Sequence, residues 1–269
     1  MYAAVCLRSF RRYSTYRAAT GARVFTNTVF GFILSYTYLA LWQVRPHLGG
    51  YDLSAALTYV WIGQGLLSVL AINDLGALSD LQTRIANGDV AVDLFRPVDQ
   101  QRWWLAVDAG RAGYQLLTNA LVPMLVGGLF FHLRLPQGTA AATVATWAAT
   151  AVALLLALLV SYAMRHLIAL TGFWLLDLRG VQLVYYLVSC FFSGFFLPIT
   201  TFPPLLEAVA RALPFVAVFQ VPADVFLQRY DATGTLAALG VQVAWAVVLL
   251  GLGRLVQSRA VLKVVVQGG

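Results

Sequence analysis

The sequence predicts an all-α integral membrane protein with six transmembrane helices, cytoplasmic N- and C-termini, an N-terminal interfacial helix and a re-entrant helical hairpin between spans five and six. Of its 269 residues, 60% are hydrophobic and only 11% are charged, and the mean hydropathy is +0.77. Soluble domains carry about 45–50% apolar and about 25% charged residues, so a water-soluble globule is excluded. Disorder is excluded too, because it requires low hydrophobicity and high charge. The chain is therefore treated as one transmembrane domain, residues 1–269.

Six stretches are apolar and long enough to cross a bilayer, which takes about 20 helical residues. They are residues 23–44, 55–74, 107–131, 140–164, 181–197 and 235–255. The fifth stretch is the shortest. After the fourth, Arg165-His166 introduces a mostly apolar segment at 167–176 that is too short to cross. This segment predicts an interfacial or linking helix.

The basic residues predict the orientation, because cytoplasmic loops retain Lys and Arg. With the N-terminus inside, fourteen of the 18 Lys and Arg residues face the cytoplasm. The four that face outward are Arg45, Arg134, Arg211 and Arg229. Topology thus accounts for the net charge of +7, and no basic stripe on a soluble domain indicates nucleic-acid binding.

Residues 1–22 predict an amphipathic interfacial helix ahead of the first span. At about 100° per residue, its apolar face consists of Tyr2, Cys6, Phe10, Tyr13 and Tyr16. Its basic face consists of Arg8, Arg11 and Arg12. Such a helix suits the inner membrane interface. The alternative is a positively charged anchor that only sets the topology.

The sequence lacks the residue patterns that ATP hydrolysis, disulfide frameworks and metal sites need. The phosphate-binding loop GxxxxGK[ST] needs a lysine, and the only lysine is Lys263 in the C-terminal tail. Cys6 and Cys190 are far apart and form no CxxC pair, so neither a disulfide framework nor a thiolate metal site is indicated. The histidines, which lie apart without an HExxH pairing, are His47, His132 and His166.

The deep parts of the predicted spans contain no charged residue, which disfavours a proton-coupled transporter. Charged residues in these spans lie near the predicted cytoplasmic ends, namely Asp74, Asp108, Arg111 and Arg254. The polar residues within the spans are Gln64, Thr118, Asn119, Ser189, Ser193 and Gln242. We expect them to join helices rather than to form a site for a coupling ion.

The first cytoplasmic loop, residues 77–103, is the longest polar stretch. Leu78, Leu81 and Ile85 follow helical spacing and predict a helix with one apolar face. Asn87-Gly88 ends that helix, since both residues tolerate the left-handed conformation, and Arg96-Pro97 forces an extended break. A short amphipathic helix, a turn and an Arg-Pro corner predict a docking knob for a cytoplasmic partner. The alternative is an inert surface loop.

The outward segment at 198–219 predicts a re-entrant hairpin. Pro198 ends the fifth span, and Pro203-Pro204 starts a new helix that Pro214 closes. That helix has about nine residues and covers about 14 Å, less than half of the bilayer core. Irregular backbone at membrane depth needs cover from protein or water, so we expect the hairpin beside a pathway or a subunit contact.

The sequence resembles the membrane subunits, or permeases, of ABC-2-type ATP-binding-cassette exporters over essentially its whole length. Residues 85–97 are similar to the loop I-x-x-G-x-x-x-x-x-L-x-R-P of one permease subfamily, and they carry Ile85, Gly88, Leu94, Arg96 and Pro97 in that order. Further similar motifs are Phe173-Trp174, Ser193-Gly194 with Pro198, Phe202-Pro203, and Leu213-Pro214-Phe215. Their order and spacing make the match specific.

The resemblance implies a coupling helix that seats on a separate ABC ATPase subunit, which binds ATP and Mg, while this chain binds no cofactor or metal and is no enzyme. The implied coupling residues are Asp80, Arg84, Ile85, Gly88, Asp89, Asp93, Leu94, Phe95, Arg96 and Pro97. Closure of the ATPases is expected to push the loop at Ile85 and Leu94. The hairpin residues singled out are Pro198, Phe202, Pro203, Pro204 and Pro214.

The resemblance also implies two permease subunits, identical or paralogous, around a central pathway for export. Aromatic side chains of the fifth span are candidates for its walls, namely Tyr185, Tyr186, Phe191, Phe192, Phe195 and Phe196. Lipid contact or subunit packing is the alternative for this aromatic run. Such walls suit a hydrophobic or amphipathic substrate.

Two other classes compete with this interpretation: an ATP-independent channel or scaffold, and an integral membrane enzyme that acts on lipid. The enzyme needs a nucleophile and a base, and Ser193, His166 and Asp177 show no spacing that assembles one. The preference for Arg over Lys, with abundant Ala, Val and Leu, favours a bacterial cell membrane as the location.

Overall fold

The computed structural model describes residues 1–95, 97–175 and 177–261, with the side chains of Leu94 and Val261 excepted. Every regular element in this part of the chain is helical. The α-helices are α1 (Tyr2–Thr15), α2 (Arg17–Val44), α3 (Leu53–Val69), α4 (Leu78–Ala86), α5 (Val90–Leu94), α6 (Gln100–Gln115), α7 (Leu121–Phe130), α8 (Ala140–Leu170), α9 (Arg179–Phe192), α10 (Pro204–Arg211), α11 (Gln220–Phe226) and α12 (Ala232–Val261). A π-helical segment, Leu116–Ala120, joins α6 to α7 without a break.

Among the described residues, four helices are long and apolar enough to cross a membrane: Arg17–Val44, Gln100–Phe130, Ala140–Phe173 and Ala232–Ala260. The second and fifth predicted spans correspond to α3, with 17 residues, and α9, with 14 residues. At 1.5 Å per residue they measure about 26 Å and about 21 Å, against about 30 Å of hydrocarbon. The six-span topology with both termini inside therefore stays a prediction.

The prediction of a separate linking helix at 167–176 is wrong over its described residues. Helix α8 continues through Arg165-His166 to Leu170, and a 3-10 turn extends it to Phe173. Both polar side chains are buried inside the protein, where Arg165 has a carboxylate partner, so nothing ends the helix there. Leu176 lies outside the described residues.

Helix α3 lies in the core, packed against α2, α6 and α7. Glycines allow the close approach, because a Cβ at Gly31 or Gly127 would come within 2.8 Å or 2.3 Å of the Trp61 ring. A Cβ at Gly65 would lie 3.1 Å from the main chain of Ala120 in the π-helical segment. These small residues let the indole of Trp61 fill the space between α2, α3 and α7.

Helix α12 packs along α8, and Gln242 joins them as expected for a polar residue within a span. Its amide nitrogen donates to the carbonyl of Ala153 in α8 and to that of Ala217 before α11. Helix α1 packs across α6, where the Ser9 hydroxyl donates to the Val107 carbonyl. The Phe10 ring meets the Tyr114 ring edge-on at 5.7 Å, so part of the apolar face of α1 contacts protein.

Candidate functional site

The predicted cytoplasmic loop, residues 77–103, forms two short helices that meet at a glycine turn. Gly88 has φ +79°, which ends α4 and allows α5 to turn back. The hydrophobic side of α4 is buried, and Ile85, only 8% exposed, packs beside Gly172 at the end of α8. A partner that docks on the loop would therefore not touch Ile85 directly, contrary to the push expected there.

The exposed surface of the loop lies at its tip. Phe95 is 81% exposed and Val92 is 59% exposed, and these two apolar side chains project from α5 and the residue after it. The other exposed residues of the tip are Ala86, Asn87, Gly88, Asp89 and Pro97. The side chain of Leu94 and the whole of Arg96 lie outside the described residues. An exposed phenylalanine on a short turn is typical of a contact surface.

Ion pairs hold the loop in this shape. The Arg84 guanidinium donates to both carboxylate oxygens of Asp93, at 2.5 and 2.9 Å, and so clamps α4 to α5. The hydrogen bonds that Arg84 donates to Asp93 raise the pKa of Arg84. Arg12 donates to Asp80 at 2.5 Å and joins α1 to α4, and this bond raises the pKa of Arg12. The loop therefore has a fixed connection to the N-terminal helix.

A groove of about 1140 Å³, here called the α1 groove, separates α1 from the cytoplasmic loop. Its lining includes the apolar side chains of Trp103, Trp104 and Val107. Arg8 and Arg11 also line it and are exposed, and they have no ion-pair or hydrogen-bond partner for their side chains within the described ranges. The groove therefore offers an apolar surface and free positive charge next to the loop tip.

Behind the loop, Asp108, Arg111 and Arg165 form a charge cluster that is completely buried. Asp108 accepts from Arg111 at 2.7 Å and from Arg165 at 2.8 Å. Arg111 also donates to the carbonyls of Ser68 and Val69 at the end of α3. The cluster thus fastens α3, α6 and α8 to one another.

This cluster was not predicted from the sequence, in which Asp108 and Arg111 lie near the end of an apolar stretch and Arg165 follows the predicted fourth span. The i, i+3 spacing of Asp108 and Arg111 inside an apolar stretch is a usable signal for their pairing. The third member, 57 residues away from Asp108 along the chain, leaves no local signal.

On the opposite side, the hairpin region contains the expected proline-started helix. Pro204 occupies the first turn of α10, and Pro198 precedes a 3-10 turn at Ile199–Thr201. Pro203 caps α10, and Pro214 lies in the turn beyond it, three residues after the helix ends. The Phe202 ring stacks on the Phe191 ring of α9 at 5.0 Å. Re-entry into the membrane stays a prediction.

Polar side chains tie this region to α3, and we call them the outer network: the buried Tyr51, Tyr59, Gln220 and Asp224, and the partly exposed Arg229. Gln220 accepts from the Tyr59 hydroxyl at 2.7 Å and donates to Asp224 at 2.8 Å. Tyr51 donates to Asp224, and the Arg229 guanidinium lies 3.7 Å above the Tyr51 ring. Burial raises the pKa of Asp224, while Gln220, Tyr51 and Arg229 oppose that rise.

The six aromatic residues proposed as pathway walls do not share one surface. Helix α9 ends at Phe192 rather than near 197, because Gly194 with φ +82° turns the chain. Two are buried, Tyr185 and Phe195; two are exposed, Phe191 and Phe196; and two are intermediate, Tyr186 and Phe192. Phe195 packs against Gly63 of α3 and the Phe219 ring, so it belongs to the core.

Within the described residues, no group of three His, Cys, Asp or Glu side chains is arranged to hold a metal ion. His166 is buried and stacks on the Tyr162 ring, and Cys6 and Cys190 are both free thiols. Lys263 lies outside the described residues.

Comparison with known proteins agrees with the resemblance seen in the sequence. The family profile described as ABC-2 family transporter protein matches residues 25–268. Comparison with curated proteins finds no match. The all-helical fold with several apolar helices fits a multi-pass membrane protein, and a permease of this kind works with an ABC ATPase. Since the profile spans nearly the whole chain, the protein belongs to the ABC-2 family of transporter permeases.

Proposed function

We propose that this chain is one of two permease subunits of an ATP-driven exporter. Its cytoplasmic loop binds a separate ATPase subunit and transmits the conformational change of that subunit to the spans. The observation that carries the proposal is the shape of the loop tip. Phe95 and Val92 are exposed on a loop in which the Arg84–Asp93 pair joins α4 to α5 and the Arg12–Asp80 pair joins α4 to α1. We expect an apolar tip that is connected in this way to transmit force to the neighbouring helices.

The ATPase supplies the energy, since this sequence has no phosphate-binding loop of its own. ATP and Mg are bound by that partner, and this chain contributes a docking surface. The α1 groove lies beside the tip, so Arg8 and Arg11 provide positive charge for acidic side chains of the partner.

Force applied at the tip has a contiguous path into the spans. Helix α4 buries Leu81 and Ile85 against neighbouring helices, and Ile85 meets Gly172 where α8 ends. Arg12–Asp80 carries displacement of α4 to α1, which is packed on α6. Because the charge cluster fastens α6 and α8 together, these helices respond as a unit and tilt between inward-open and outward-open states.

The second permease, identical or paralogous, faces this chain across the pathway in a bacterial cell membrane, and both termini are cytoplasmic. Ligands bias the two states only through different affinities for them. The aromatic side chains left exposed, Phe191 and Phe196, remain candidates for contact with substrate or with the second subunit.

The test is mild-detergent purification of the tagged chain from its native membrane, followed by mass spectrometry and an ATPase assay. A subunit with a phosphate-binding loop and vanadate-sensitive hydrolysis should copurify. Phe95→Ser should reduce that copurification about tenfold or more, because large buried apolar contacts dominate interfaces. Leu205→Ser removes a similarly exposed apolar side chain from α10 on the opposite side, and it should leave the complex intact.

Normal recovery of the ATPase with Phe95→Ser would exclude the loop tip as the docking surface. Purification without any ATPase, where other membrane complexes survive, would favour a channel, a scaffold or an enzyme instead.

A further inference from the structure

A polar cavity of about 320 Å³ lies beside the coupling helix α4, separate from the α1 groove. Six elements meet there: the end of α1, the first part of α2, the connection from α3 to α4, helix α4, the last part of α6 and the first half of α9. The side chains that matter for its chemistry are Arg23, Asp74, Arg111, Gln115, Gln182 and Tyr186. Most of the lining side chains carry a polar or charged group, and Leu75 and the rings of Tyr13 and Tyr186 add apolar surface.

The cavity carries an excess of positive charge. Arg111 lines the cavity, and Arg165 lies behind the wall at Gly76, where a Cβ would come within 2.6 Å of its guanidinium. They share the single carboxylate of Asp108. Arg23 adds a third guanidinium, and its side chain has no partner in the described part of the chain. Against three guanidiniums stand two carboxylates, those of Asp74 and Asp108.

Apolar surface adjoins the cavity on α9. Leu183 follows the cavity residue Gln182, and Leu187 follows the cavity residue Tyr186; both leucines are exposed, on the next side of the helix. A ligand that places its charged head in the cavity can therefore lay an apolar chain along α9.

The cavity is also connected to the coupling helix. The Gln182 amide of α9 donates to the Gln82 amide oxygen of α4 at 2.5 Å, and both side chains line the cavity. Movement of α4 thus displaces a wall of the cavity.

We propose that this cavity binds the anionic head group of the amphipathic substrate, and that binding there changes the position of α4 through the first half of α9. The assignment rests on the transport function proposed above.

Direct photolabelling of the full chain tests the site without ATP or the partner subunit. Its result is therefore independent of whether an ATPase copurifies with the chain. The probes are photoreactive single-chain amphiphiles with one alkyl chain and three head groups: phosphate, trimethylammonium and glucoside. In phosphatidylcholine nanodiscs, the alkyl phosphate should label peptides that contain Arg23, Asp74 or Gln182, and it should do so more strongly than the other two probes.

Two substitutions predict effects of opposite sign. Arg23→Gln removes a charged donor and should weaken alkyl phosphate labelling about tenfold. Asp74→Asn removes a repulsive charge while an amide oxygen remains to accept from the Gly76 N–H, so labelling should strengthen severalfold. Arg45→Gln, at the other end of α2, is the matched control and should have no effect.

Equal labelling by the three head groups, or equal behaviour of Arg23→Gln and Arg45→Gln, would overturn the proposal. Inorganic phosphate should compete far more weakly than the alkyl phosphate, and competition of equal strength would overturn the amphipathic assignment. Strong competition by phosphatidylglycerol would support an anionic head group and identify a membrane lipid as its source. Absence of that competition would support a separate amphiphile.

Discussion

Two guanidinium groups share one carboxylate in the interior of this protein, where each charge depends on the others. Taking ions out of water costs several kcal/mol each, and good geometry offsets that cost. Here the geometry includes the carbonyls of Ser68, Val69 and Leu75, which accept from Arg111 or Arg165. The cluster is therefore stable as a set, and removal of its single negative charge leaves two buried cations unpaired.

Asp108→Asn is expected to lower the free energy of unfolding by about 3–5 kcal/mol, because it breaks two buried pairs at once. The measurement is the midpoint of thermal unfolding in detergent. Asp177→Asn is the control, since Asp177 pairs with Arg179 at 3.9 Å on the surface and both side chains are exposed. Similar midpoints for the two variants would show that the charge cluster has no structural importance.

Gly194 occupies a position that no other residue fits without strain. Its φ is +82°, and a Cβ there would lie 2.4 Å from the Gln220 amide oxygen and 2.7 Å from the Tyr59 hydroxyl. The glycine thus lets the chain turn after α9 and lets the outer network close over it.

Gly194→Ala should therefore destabilise the protein by about 2 kcal/mol or more, through backbone strain and displacement of the outer network. Gly240→Ala, in α12 with open space around it, should stabilise the protein by about 0.5–1 kcal/mol. Thermal unfolding of the two variants side by side provides the comparison. A Gly194→Ala variant as stable as the parent would mean that the network adapts to the extra methyl group.

At the scale of elements, Gly, Asn and Pro in the sequence predicted where helices begin and end, but the sequence did not predict that α8 continues past Arg165. Asn87-Gly88 ends α4 and Pro204 begins α10 as the sequence indicated, because backbone conformation at those residues is a local property. The extent of α8 was not predictable in this way. Arg165 resembles a membrane-edge residue until its partner on another helix is known, and that partner depends on the fold.

The same reasoning explains which site residues were found. The loop residues Asp80, Arg84 and Asp93 were singled out because the family resemblance implies a coupling helix there, and the structure adds their ion pairs. Gln82 and Gln182 are 100 positions apart in the sequence. The bonded residues of the outer network are even further apart, except for contacts within residues 220–230. No periodicity in the sequence signals such a contact.

At the scale of the whole molecule, a topology with four membrane crossings and one with six place two loops on opposite sides of the membrane. If α3 and α9 both cross, Asn87 is cytoplasmic and Ala140 lies outside. If only the four long helices cross and the N-terminus stays inside, Asn87 lies outside and Ala140 is cytoplasmic. The distribution of arginines favours the first arrangement.

Single cysteines at these positions decide the question, in a background with Cys6 and Cys190 replaced by alanine. In intact cells, a membrane-impermeant maleimide should label Ala140→Cys and leave Asn87→Cys unlabelled. Both should react after the cells are lysed, which controls for accessibility. The reverse pattern would exclude six crossings and, with them, a cytoplasmic docking loop.

The π-helical segment between α6 and α7 sets the rotation of one half of the third span against the other. It holds Leu116–Ala120, and Gly127 must face Trp61 one and a half to two turns later. Each residue of an α-helix advances by about 100°. The wider π turn accommodates one extra residue, so a relative that lacked one residue here could have a regular helix throughout and still present the position of Gly127 to the indole. An insertion or deletion elsewhere in this span would instead turn a larger side chain toward Trp61, so the length of the span and the identity of position 61 are constrained together, although the two lie on different helices.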